Sequence, residues 1–140
     1  MEIRPYAECD EAEVVELWSE AFPSAPVWND PARDIERKLA VQRDLFLVAV
    51  REGRVVGTAM GSYDGHRGWI YYVVVRPDCR LQGVGIALVT AVEQGLARLG
   101  CPKVNLQIRA SNGGVATFYQ RLGYSREERI SMGKRLQSDD

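Results

Sequence analysis

One histidine, three cysteines and no long apolar run are what this chain of 140 residues has little of, and each scarcity removes a class of function. With His66 as the sole imidazole, a structural zinc site lacks its usual nitrogen ligands. Cys9, Cys79 and Cys101 are odd in number and widely spaced, which argues against a disulfide framework and against a CxxC redox or zinc pair. No metal is expected. The longest apolar stretch, Trp69 to Val75, is far too short to span a bilayer. The opening "MEIRPYAECDEAEVVELW" is acidic and amphipathic and lacks the basic-then-apolar order of a signal peptide. An excess of one charge is missing as well: 18 Lys and Arg against 19 Asp and Glu announce neither a polyanion-binding surface nor an acidic tail. The expectation is a cytoplasmic protein with no nucleic-acid and no membrane partner. Its length and 46% apolar content fit one domain over residues 1–140 and leave no room for two.

Internal repeats and low-complexity segments are also absent, so alternating element types organise the chain. "EIRPY" opens as a short strand. Asp10 and Glu13 form a capping-box variant, and Val14, Leu17, Trp18, Ala21 and Phe22 follow at helical spacing. After a proline-rich segment, Asp30 caps and Pro31 starts a second, polar helix, with Asp34 four residues before Lys38 as an ion pair. "LFLVAV" and "VVGTAMGSY" read as a hairpin, and "WIYYVVV", without alternation, as the doubly covered centre of the sheet. Val84 to Leu99 keeps a helical period up to Gly100 and Pro102. "KVNLQIRA" alternates as a strand, Asn112 caps a fourth helix ending at Gly123, and the tail "YSREERISMGKRL" supplies one or two further strands. The order β α α β β β α β α β β describes a mixed sheet with helices on both faces.

Between the apolar strand and the third helix lies "RPDCRLQGVGIALV". A helix N-terminus presents unpaired N–H groups and partial positive charge, a ready anion site. Gly83 and Gly85 permit close approach and positive φ there, and Arg80 adds a directional cation. A P-loop is excluded because GxxxxGK is absent, and the dinucleotide fingerprint because Leu88 replaces its third glycine. RxxGxG remains. Glycines that serve only helix packing are the alternative, which the spacing alone does not separate.

RxxGxG after a strand and "RP", followed one helix and one strand later by Asn112 and Tyr119 in "NGGVATFYQRLGY", resembles the acyl-CoA N-acyltransferase (GNAT) superfamily over almost the whole chain. "WNDPARDIERK", "FLVAV", "GSYDGHRGWIYYVVVRP" and "RLGY" further resemble a bacterial YpeA-type group of acetyltransferases. The resemblance implies a mixed α/β fold. Its sheet would be mostly antiparallel, with six to seven strands, splayed between the fourth and fifth, and four helices would lie on both faces. It also implies acetyl-CoA as co-substrate. The amides of Gln82, Gly83, Val84, Gly85 and Ile86 would hold the pyrophosphate, with Arg80 and Leu81 at the rim. Val73, Val74 and Val75 would pair with the pantetheine arm, Asn112 would touch it, and Tyr119 would point at the thioester sulfur. Leu81 and Gln82 stand where members often have glycine and arginine; the amides persist, but Gln82 removes a charge.

The implied reaction is direct attack by an amine in a ternary complex, which needs oxyanion stabilisation and a proton for the departing thiolate. A backbone N–H from Val73 to Val75 supplies the first, and Tyr119 is the candidate acid. Candidates for the acceptor side are Trp28, Asn29, Tyr72, Asp64 and His66. Asp64 and His66 also read as a polar hairpin tip, and Trp28 as a lid on the core. Either Tyr71 or Tyr72 faces the acceptor while the other packs inside. The acceptor, a small molecule or a protein amine, and the general base are not legible. A homodimer is common in the superfamily. The rival reading is a non-catalytic acyl-CoA-binding or regulatory module.

Overall fold

The computed structural model describes residues 1–23 and 30–137. Five strands, β1 (Glu2–Pro5), β2 (Phe46–Arg51), β3 (Arg54–Tyr63), β4 (Gly68–Val75) and β5 (Val104–Asn105), lie side by side in that order. All pairs are antiparallel except β4 with β5. The helices α1 (Glu11–Ala21) and α2 (Pro31–Leu39) cover one face. The helices α3 (Val84–Arg98) and α4 (Val115–Arg121) cover the other.

Alternation on the strands feeds two cores. Phe46, Val48, Val55 and Met60 meet Val14, Leu17 and Trp18 of α1 and Ile35 of α2. Leu47, Ala49, Val56 and Ala59 meet Leu88, Val89 and Val92 of α3. A methyl group at Gly61 would overlap Val92, so the bare backbone of β3 lets α3 settle against the sheet. The centre of the sheet is therefore β3, buried along nearly its whole length, and not β4 as the apolar run suggested. One side of β4 faces a strand that soon leaves it.

The class is as expected, but the described residues hold five strands rather than six to seven. The segment after Asn105 and the tail form no ladder among the described residues; side chains tie the tail to both sides of β5, Lys103 Nζ to Glu127 Oε2 at 2.6 Å before it and Gln107 Nε2 to Ser131 Oγ at 2.7 Å after it. Three local readings are also corrected. Asp10 precedes α1 without capping it, because its carboxylate is taken by Arg4 and the Ala7 N–H, while Glu13 accepts the Val55 N–H. Asn112 does not cap α4, whose N-cap is Gly114. Asp34 does not pair with Lys38 but accepts from the Tyr72 hydroxyl. Asp30 does cap α2, accepting the Ala32 N–H at 3.0 Å.

Lys38 is buried, 4% exposed, and its Nζ donates to the Gly61 carbonyl at 2.5 Å. Desolvation pushes the ammonium from its ordinary value down to about 8. Below pH 8 the folded chain bears the full cost of a buried charge. Between pH 8 and the value of an unfolded lysine, the folded form sheds a proton that the unfolded form keeps, so stability rises with pH. Tyr6 and Tyr119, held by burial near 12, reverse the slope only above about pH 10. Urea unfolding at pH 7.5 and 9.5 should show a gain of roughly 2 kcal/mol, which Lys38→Met removes.

Candidate active site

Only two residue pairs join β4 to β5, Gly68 with Val104 and Trp69 with Asn105. Beyond them the strands part, and the opening widens into a cleft of about 2320 Å³. Tyr71, Tyr72 and Val73 line it from β4, Leu106 and Ile108 from the segment after β5, and Tyr119 from α4. Trp18 of α1 and Asp34 of α2 line it as well.

On β4 the register shifts between Thr58 and Met60: Val74 faces Thr58, Tyr71 faces Met60, and both Tyr72 and Val73 stand opposite Ala59. This is a β-bulge, which leaves an extra residue outside the ladder and bends the strand. Tyr72 takes φ 53°, the left-handed region, at a cost on the order of 1–2 kcal/mol for a residue with a Cβ. Its ring stacks on Trp18 with centroids 4.0 Å apart, and its hydroxyl donates to Asp34 Oδ2 at 2.5 Å. Burial, then the Asp34 carboxylate, raises this phenol well above its usual range. Since the bulge breaks alternation, Tyr71 and Tyr72 both line the cleft; the expected division into one inward and one outward ring does not arise.

At the turn before α3, Leu81 and Gly83 have φ 62° and 82°. Gly83 is the N-cap residue and supplies no side chain, so the first N–H groups of α3 have no side-chain cap. The two glycines differ. A Cβ on Gly83 would meet nothing within 4 Å, so backbone conformation selects glycine there. A Cβ on Gly85 would sit 3.2 Å from Phe118 Cζ of α4, so that position is selected by packing. Conformation thus calls for glycine at one position and packing at the other. Arg80, Leu81 and Gln82 are exposed, Ile86 is half exposed, and Val84 is buried. Gln82 Oε1 accepts from the guanidinium of Arg51, at the end of β2, and Arg54 is bound to Asp78 at 3.1 Å. Arg51 thereby brings to the turn the cation that position 82 lacks. Nothing in the spacing of the turn pointed to it, because its partner lies 31 residues away.

Asn112 is exposed, ends a short 3-10 turn (Ala110–Asn112) and borders the cleft. Tyr119 is 8% exposed, held edge-on between Phe118 and Tyr124 with centroids 4.9 and 5.8 Å away. Burial pushes its phenol up to about 12. Its hydroxyl has no hydrogen-bond partner among the described residues. Tyr124 differs in donating to Glu93 Oε2 at 2.6 Å. Of the other candidates, Val74 is buried toward α1 and Val75 packs toward α3. Asp64 accepts the N–H groups of His66 and Arg67 at 2.8 and 2.7 Å, which holds its carboxyl below the ordinary range. Asp64 and His66 form the exposed β3–β4 tip and are not among the cleft-lining residues. Trp28 and Asn29 lie outside the described residues.

The family model described as "Acetyltransferase (GNAT) family" matches residues 11–124. An acetyltransferase of Sodalis glossinidius is 47% identical over 140 residues, covering 99% of this chain and 98% of that protein. One of Yersinia enterocolitica is 46% identical over 136 residues, covering 97% and 96%. Among solved structures, the aminoglycoside N-acetyltransferase AAC(6')-Iy in complex with CoA superposes with a TM-score of 0.79 at 22% identity, over 97% of this chain and 95% of that one.

The unequal glycines make a double-mutant test. Gly83→Ala should destabilise by about 1–2 kcal/mol whatever stands at position 118. The cost of Gly85→Ala should shrink in a Phe118→Leu background, with coupling of about 0.5–1 kcal/mol in thermal or urea unfolding.

Proposed function

The chain belongs to the GNAT acetyltransferase family and is an acyltransferase, and on that premise we propose that it transfers acetyl from acetyl-CoA to an amine by direct attack in a ternary complex. The observation that carries this reading is the pairing of two groups across the opening between β4 and β5. One wall presents the bulged backbone at Val73, and the other presents a buried phenol with no partner among the described residues. The shape and the donors fit the co-substrate. The uncapped N-terminus of α3, with Gly83 in left-handed conformation, offers amides from Gln82 to Ile86 to a pyrophosphate, and Arg80 and Arg51 stand beside it. Extended backbone at Val73 to Val75 suits the amides of the pantetheine arm, with Asn112 at the opposite rim.

In this reading the neutral amine attacks the thioester carbon and forms the new C–N bond. The Val73 N–H stabilises the oxygen as it becomes anionic. The C–S bond then breaks, the electron pair leaves with sulfur, and Tyr119 donates its hydroxyl hydrogen bond to that sulfur. At about 12 the phenol is protonated throughout the neutral range, so it always arrives as a donor. Full proton transfer to an ordinary thiolate is uphill by about 5 kcal/mol, so Tyr119 stabilises the leaving group first and completes the transfer late. The amine's proton passes to water in the open cleft. The acceptor is an amine of a small molecule or of a protein.

Thiol release from acetyl-CoA, followed over a panel of amino acids, polyamines, an aminoglycoside and a lysine-containing peptide, should reveal amine-dependent turnover. Tyr119→Phe should lower kcat by roughly 10²-fold with CoA affinity, by calorimetry, within about twofold of the parent. Full turnover by that variant removes the acid assignment. CoA binding without thiol release for any amine would replace acetyl transfer with the binding-module reading.

A further inference from the structure

Tyr72 occupies a backbone conformation that its side chain resists, in the middle of a strand, next to the amide assigned to the oxyanion. Something must hold it there. Packing of the ring on Trp18 and the hydroxyl bond to Asp34 fix the side chain, but neither fixes the direction of the peptide group that follows. That group is the Tyr72 carbonyl together with the Val73 N–H, a rigid plane whose two ends point in opposite directions. Whatever anchors the carbonyl aims the N–H.

The anchor is a hydrogen-bond chain through the core. Trp18 Nε1–H of α1 donates to Thr58 Oγ1 of β3 at 2.9 Å. The same hydroxyl donates its proton to the Tyr72 carbonyl at 2.9 Å. A hydroxyl has one proton to give, and the indole can only donate, so the direction of the chain is determined: indole to hydroxyl to carbonyl. Thr58 is fully buried and Trp18 is 1% exposed, so water does not compete for either bond. Thr58 flanks Ala59, the one β3 residue that faces the bulge, and its hydroxyl lies toward α1, where the indole of Trp18 reaches it.

We propose that Trp18 and Thr58 are positioning residues for acetyl transfer: through the Tyr72 carbonyl they hold the Val73 N–H toward the thioester oxygen. The proposal rests on the acetyl-transfer reading for its catalytic consequence. Its structural content, that the chain holds the bulge, stands apart from that reading. α1 thereby contributes to the reaction through the core, by way of the Tyr72 carbonyl.

Thr58→Val keeps the shape and removes the hydroxyl. With acetyl-CoA and the panel amine turned over fastest, it should lower kcat by roughly tenfold or more, with KM for acetyl-CoA and CoA affinity within about twofold. Thr58→Ser should restore the rate, because it returns the hydroxyl but not the methyl. In amide NMR, the Tyr72 and Val73 resonances should shift or broaden in Thr58→Val and return in Thr58→Ser. Trp18→Phe, which keeps a stacking ring and loses the N–H, should move the same signals in the same direction, and carries the test should Thr58→Val fail to fold. Unchanged kcat in Thr58→Val, or a loss that serine does not restore, overturns the catalytic role. Unmoved Tyr72 and Val73 amides overturn the anchoring itself. If the parent protein transfers acetyl to no amine, the function proposed above fails, while the NMR arm still decides whether the chain holds the bulge.

Discussion

Two paired residues hold β4 to β5, and everything in the site depends on where that ladder stops. Gly68 lets the approach begin: its N–H donates to the Lys103 carbonyl at 2.8 Å, and a Cβ there would lie 2.7 Å from Cys101 Sγ. Four residues later, Tyr72 bends β4 at the bulge. Close contact at one end and a bend in the middle turn a sheet edge into a cleft. A parallel pair needs no further reason to remain joined, so the parting must be built by such local devices. They also decide which residues reach the opening, since Val73 and the two neighbouring tyrosines are brought there by the bend.

The sequence was most legible where one physical signal dominates. Helical periods located α1 and α3, Asp30 and Pro31 marked the start of α2, and apolar runs located β2, β3 and β4. Legibility failed where a side chain had two uses. Asp10 and Glu13 match a cap by spacing, yet Arg4 and the Val55 N–H, both distant in the chain, offer better partners. Lys38 matches an exposed pair by spacing, yet the fold buries it against β3. The long alternation after Pro102 reads as a full strand because alternation reports a side-chain pattern and says nothing about whether a neighbour follows.

The candidate site was legible in a similar, partial way. Gly83 can be named from its own motif, because that motif sits on a strand–turn–helix whose geometry is local, and Val73, Asn112 and Tyr119 can be named through the family resemblance. Thr58, Trp18, Asp34 and Arg51 could not, since each acts through a partner elsewhere in the chain. A charge or a hydrogen bond is placed by the fold, and no spacing rule describes it. Arg51 shows this most simply: position 82 of the turn is a glutamine, and its side chain draws the guanidinium of Arg51 from β2.

The bulge also sets the two halves of β4 out of phase. Trp69 and Tyr71 belong to one alternation and Val74 to the other, with one residue absorbed between them. Deleting that single residue would realign the halves into an uninterrupted ladder, a better strand by every measure of pairing. The cleft would lose the feature that bends β4. Regularity and an open cleft are alternatives at this point of the chain, separated by one residue.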